Sequence, residues 1–229
     1  MNLLDIIILV LLILGFINGF RRGAIKQGVL TAGIFLVVIL SFIFKNPLSI
    51  MLYKKLPFFT TGILKNYSIL NILLYELISF LILLIILSLI FAIISKISGI
   101  VEKLVRSTII LALPSRLIGG LFGLIEVYIF TFIVLLIVTM PIFSVSKSKV
   151  ITNSSMKNIV LNKSLVLSNV SKGIVKSINE VNDLIKSKNK LGTEEFNCKA
   201  LEIFKDNKVI SKESIDYLKS KKKISNKCK

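Results

Sequence analysis

Two carboxylates sit where carboxylates are expensive. Glu76 lies inside an apolar run over residues 69–94 and Glu126 inside another over 117–143. A charge within a hydrocarbon layer must face the protein interior or a wet cavity. Two chemistries are open to this pair: a proton or ion path, or protonated carboxyls that lock helices by hydrogen bonding. A path usually needs more polar residues than Asn18, Gln27, Ser79 and Thr131 provide, which favours the second. Asp5 and Lys26 stand close enough to the ends of their runs to reach an interface.

Other reactive groups are sparse. The chain has no His, and Cys198 and Cys228 lie 30 positions apart without a CxxC unit. Neither a zinc site nor a thiol–imidazole pair can be assembled from that set. There is no nucleophile elbow and no clustered set of metal ligands. The expectation is a non-enzymatic protein with no catalytic residues, cofactor or metal. The cysteines are expected to be isolated thiols, since their spacing supplies no disulfide geometry.

The elements that must position these residues are four apolar stretches, residues 3–20, 24–44, 69–94 and 117–143. Each is long enough to cross a hydrocarbon layer of roughly 30 Å as a helix. A hydrophobic content of 54% and a mean hydropathy of +0.84 exclude an ordinary soluble domain. The fold class is therefore all-α: a polytopic membrane protein with four transmembrane helices and a small polar, helical C-terminal region. The predicted division is a transmembrane domain over 1–145 and a Lys-rich tail over 146–229.

The first run starts almost at Met1, has no basic segment before it and no small-residue cleavage pattern. It is expected to stay as a span. Arg21 and Arg22 follow it at once, which places the N-terminus outside and the Arg pair in the cytoplasm. Counted over all short connections, Lys and Arg divide evenly between the two faces, so the first hairpin decides. An even number of spans then puts the C-terminus outside as well.

The connections differ in character. An Arg-Arg-Gly turn joins the first two spans as an antiparallel hairpin. Residues 45–68 carry Pro47, Pro57, Tyr53, Phe58, Phe59 and Tyr67, as expected of a segment lying in the head-group zone. Residues 98–113 place Ile100, Val101, Leu104, Val105, Thr108 and Ile109 on one helical face opposite Glu102, Lys103 and Arg106. That spacing predicts an amphipathic helix, lying on the surface or re-entrant, ended by Pro114 before a turn into the last span.

Helices in lipid associate through close approach, because burying apolar surface gains little in an apolar solvent. Gly15, Gly19 and Gly23 recur every four positions on the first span, and Ser115, Gly119 and Gly123 do so on the fourth. These stripes are candidate helix-packing faces.

The tail is basic. From residue 144 onward there are 19 Lys against 8 acidic residues, within a chain net charge of +18. Such a segment favours anionic surfaces such as phospholipid head groups or wall polymers. Without Arg or interleaved aromatics it does not fit nucleic acid. Val170, Ile174, Ile178, Val181 and Ile185 follow helical spacing; further helices are predicted near Thr193 and Ser211, with a turn over 206–210 and a solvated segment over 219–229. The tail is expected to act as a partner-binding element or as a simple docking pad.

The chain resembles the colicin V production (CvpA) family of bacterial membrane proteins. Carrying the resemblance are Asn2-Leu3-Leu4-Asp5 at the opening of the first span, Gly19-Phe20-Arg21-Arg22-Gly23 at the first turn, and Arg116-Leu117-Ile118-Gly119-Gly120-Leu121-Phe122-Gly123-Leu124 leading into the last. It covers approximately residues 1–145 and makes Asp5, Arg21, Arg22 and Arg116 motif positions. The chain departs from the family in Glu126, where a basic residue is commoner, and in its long Lys-rich tail. The resemblance implies a multi-pass protein of the bacterial cytoplasmic (inner) membrane linked to toxin production or export and to envelope maintenance, with envelope proteins or further copies of itself as partners. The alternative is an oligomeric transporter or channel component using Glu76 and Glu126.

Overall fold

The computed structural model describes residues 2–61, 64–65, 67–97, 112–140, 142–143, 148–162, 168–186, 192–225 and 228. Its regular elements are helices: α1 Leu3–Arg22, α2 Ala24–Lys55, α3 Ser68–Ile97, α4 Ala112–Thr139, α5 Lys149–Thr152, α6 Ser155–Asn162, α7 Ser168–Lys186, α8 Thr193–Asp206 and α9 Lys212–Ser220. The first four are long and apolar enough to cross a membrane. Leu3, Ile13, Leu36, Ile43, Leu89, Ile93, Leu121 and Phe130 point outward from them, which is stable only against lipid.

Gly23 alone separates α1 from α2. Its φ of +77° is a left-handed conformation that a side chain disfavours. The Ser115 hydroxyl accepts the Ala24 N–H at 3.2 Å and ties this turn to α4. α1 packs on α4, α2 packs on both α3 and α4, and α3 stands beside α2.

α2 is longer than its sequence predicts. The expected connection at residue 45 is instead three further helical turns, through Pro47 to Lys55. The cause is a polar face: Ser41, Lys45, Ser49 and Tyr53 recur every four residues and are all buried. Pro47 lies on the exposed side, so its missing N–H removes a backbone bond without disturbing that face. At 32 residues α2 is about 48 Å long, well beyond a hydrocarbon layer of roughly 30 Å. A helix of that length has about three turns more than a perpendicular span needs. The start of α3 lies beside its last turns, and there Ile69, Leu70, Ile72 and Tyr75 are fully buried in protein.

Pro114 is likewise not a terminator. It is the third residue of α4 as described, and the helix runs on through it. The predicted amphipathic helix falls on residues 98–111, outside the described residues.

α7, α8 and α9 lie where the spacing places them, whereas α5 and α6 were not expected. α7 buries Val175, Ile178 and Val181, and α8 buries Phe196, Ala200, Leu201 and Phe204. Glu194 and Glu195 occupy the first turn of α8, which suits the helix dipole. Ser211 caps α9, its hydroxyl accepting the Ser214 N–H at 3.1 Å. These side chains join one continuous core with the upper ends of α2, α3 and α4.

Two expectations about the C-terminus are corrected. Cys198 and Cys228 are not isolated thiols but form a disulfide, with Cα atoms 4.9 Å apart. The segment after α9 is not a freely solvated end: Ile224 and Cys228 are buried. α8 presents Cys198 to the returning chain at bonding distance, a proximity created by tertiary packing that a separation of 30 residues does not reveal.

Candidate functional site: the interface between bundle and tail

Glu76, on the third turn of α3, faces the polar stripe of α2. One carboxylate oxygen accepts the Lys45 ammonium and the other accepts the Tyr53 hydroxyl at 2.7 Å. Lys45 also donates to the Val209 carbonyl at 2.9 Å and to Asn46 Oδ1 at 3.4 Å, so its three N–H donors are all engaged. Glu76 is 3% exposed and Lys45 5%, and a charge so deep persists only when paired and hydrogen-bonded. Val209 belongs to the tight link after α8, so the ion pair bonds α2, α3 and the tail together. An apolar cavity of about 70 Å³ lies beside it, bounded by Phe42, Leu77, Phe132 and Leu136 and closed by Ile174 and Val209 of the tail.

A second junction is built on Asp5. Its Oδ2 accepts the Asn2 N–H at 3.0 Å. Oδ1 accepts the Ser154 hydroxyl at 2.5 Å and the Met156 N–H at 3.0 Å. Asp5 thus holds the start of α6 against the start of α1. Nearby, the Asn2 amide donates to the Val150 carbonyl, and Tyr128 donates to the Val160 carbonyl at 3.1 Å.

The α2–α3 connection is fastened from below. Buried Asn71 accepts the Phe59 N–H at 2.8 Å and donates to the Phe59 and Leu64 carbonyls, while Tyr75 donates to the Pro57 carbonyl at 2.5 Å. From above, the Lys223 ammonium donates to the Tyr53 carbonyl and lies 4.8 Å from the Phe58 ring centroid. Tyr67 packs on Phe196 of α8 with centroids 4.1 Å apart. Burial pushes the ammonium groups of Lys223 and Lys157 below the ordinary lysine value.

Glu126 belongs to a different network toward the other end of the bundle. It accepts the Gln27 side-chain amide and lies 4.0 Å from Arg22, which itself donates to Gln27 at 3.2 Å. Thr31 adds a bond to the Phe122 carbonyl at 3.2 Å. Arg21 and Arg116 are exposed at this end. Glu76 and Glu126 therefore lie in separate clusters that share no residue.

Between these ends, α1 and α4 approach backbone to backbone. A Cβ placed on Gly119 would meet the Gly19 carbonyl oxygen at 2.5 Å, and one on Gly15 would meet that of Gly123 at 2.8 Å. Gly23 and Ser115 continue this seam at the turn. Only residues without a side chain permit such contact.

Sequence reasoning missed Lys45, Tyr53, Asn71 and Tyr75: it placed the first two in a connection and did not single out the other two. The four-residue recurrence of Ser41, Lys45, Ser49 and Tyr53 was the available signal. Among the described residues, no group of three or more His, Cys, Asp or Glu is placed to hold a metal ion.

The membrane-spanning character of the helices agrees with comparisons to known proteins. The chain is 29% identical over 171 residues to the uncharacterized transmembrane protein YshB of Bacillus subtilis (strain 168), covering 72% of this chain and 93% of that one. No solved structure matches it. The family model described as colicin V production protein matches residues 4–165, from the first turn of α1 to just past α6. This multi-pass membrane protein belongs to the colicin V production protein family.

Proposed function

We propose that this protein is a non-enzymatic scaffold of the bacterial cytoplasmic membrane, in which the bundle holds a rigid helical platform at the outer surface for envelope or toxin-export partners. The observation that carries this reading is the buried Lys45–Glu76–Tyr53 cluster bonded to Val209. It joins platform and bundle into one core, as a presenting surface requires. The division between a membrane unit and a tail, at about residue 145, is then functional: one part anchors and the other presents.

Two observations support this sidedness. Asn2, the α2–α3 connection and the tail meet at one end of the bundle. A disulfide persists in an oxidising compartment, which supports an outer location for that end. Moreover, Lys45 is neutralised by Glu76 and exerts little topological pull, so the even balance of basic residues tilts toward Arg21, Arg22 and Arg116 as the cytoplasmic set.

The transporter alternative finds less support. Glu76 is committed to Lys45 and Tyr53, and Glu126 to Gln27 and Arg22. In-cell crosslinking from the exposed face of α8, followed by identification of captured proteins, tests the scaffold reading, alongside flux measurements on protein reconstituted in liposomes. Envelope proteins captured and an inert bilayer are expected. Flux abolished by Glu126→Gln would replace the scaffold with a transporter.

A further inference from the structure

At the end of the bundle away from the tail, α3 and α4 flank α2 without closing over it. They leave an open furrow of about 790 Å³. Its walls are apolar, with Leu30 and Ile34 on α2, Phe91 on α3 and Ile133 on α4. Ser88, Ala92 and Phe130 at its margin are exposed in the lipid-facing zone, so the furrow opens sideways into the membrane.

Its mouth is different in kind. Lys26, in the first turn of α2, and Lys96, in the last turn of α3, both line it and are both exposed. Among the described residues neither has a carboxylate within salt-bridge reach. Glu126, the acidic group on the wall, already accepts Gln27 and stands beside Arg22. Among the described residues, the furrow therefore combines an apolar trough open to acyl chains with two ammonium groups that have no carboxylate partner, and Ser95 beside them.

We infer that this furrow binds one anionic glycerophospholipid, its phosphate between Lys26 and Lys96 and its acyl chains along α2. Charge complementarity selects the anionic head group, and the lateral opening selects a lipid. The site is distinct from the tail interface and stands whether or not the platform binds partners.

Native mass spectrometry of the full-length protein, stripped of lipid and titrated with phosphatidylglycerol or phosphatidylcholine of the same chains, tests this. One phosphatidylglycerol should be retained in preference to phosphatidylcholine. Lys26→Gln with Lys96→Gln should weaken that retention roughly thirty-fold, from the usual contribution of two lysines at an anionic surface. Lys26→Arg with Lys96→Arg should preserve it. Ala92→Phe should reduce it with both charges intact, because the ring fills the trough. Lys149→Gln with Lys212→Gln, at the opposite end, serves as the control and should bind as the unaltered protein does. Equal retention of the two lipids, retention unchanged in the double Gln variant, or displacement of the lipid by millimolar glycerol 3-phosphate would overturn the proposal.

Discussion

Lys45 and Glu76, separated by 31 positions and carried on neighbouring helices, form a buried ion pair whose ammonium also reaches the backbone of the tail at Val209. Breaking one partner strands the other in a low-dielectric interior. Glu76→Gln or Lys45→Met should each destabilise the protein by about 3–5 kcal/mol, while Lys45→Met with Glu76→Leu recovers most of the loss. Thermal unfolding in detergent measures both. A single variant as stable as the unaltered protein would deny the pair its structural role.

The second carboxylate should behave differently. Glu126 is partly exposed and accepts an amide from Gln27, a bond that Glu126→Gln can retain. The expected change is below about 1 kcal/mol, in line with a partly solvated pair. The contrast between Glu76→Gln and Glu126→Gln in one assay separates a docking charge from a helix contact.

The glycine seam sets a steric limit. Gly119→Leu should drive α1 and α4 apart and lower stability by several kcal/mol, within the range of about 1–3 kcal/mol or more for overpacking. Gly192→Ala, at a site with nothing within 4 Å, should be nearly silent. Melting temperatures of the two variants provide the comparison.

The disulfide closes the tail over its final segment. With 30 positions between the cysteines, loss of the bond in Cys198→Ser should cost about 3–4 kcal/mol by the chain-entropy relation. Limited proteolysis should then cut near residues 220–225, where Lys221 and Lys222 are already exposed and Lys223 is held at the Tyr53 carbonyl. Cleavage at the same rate in both proteins would contradict this.

Two tail helices end in a strained residue. Lys208 and Lys222 have φ of 56° and 54°, the left-handed conformation that glycine adopts freely. Lys222→Gly should stabilise the tail by about 0.5–1 kcal/mol, since its side chain is exposed. Equilibrium unfolding followed by helical signal checks the sign.

The spans and tail helices were legible because each depends on local information. Runs over residues 3–20 and 117–143 announce lipid by composition, and Ile174, Ile178 and Val181 announce a helix by spacing. What stayed hidden depends on distant chain segments. α2 continues past Pro47 because α3 and the tail bury Lys45, Ser49 and Tyr53, and no nearby residue reveals that cover. Cys198 and Cys228 meet because α8 and the final segment pack together. Glu76 reads as a lone intramembrane charge until the packing of α3 on α2 shows it paired with Lys45 and Tyr53.

The central claim is that the tail is locked to the bundle by tertiary contacts and a disulfide, on the outer face of the membrane. Intact cells treated with a membrane-impermeant maleimide, before and after an impermeant phosphine reductant, test it most directly. No labelling is expected at first, and labelling of Cys198 and Cys228 after reduction. Labelling without reduction would contradict the disulfide, and thiols reached only after the cells are broken would place the platform on the cytoplasmic side.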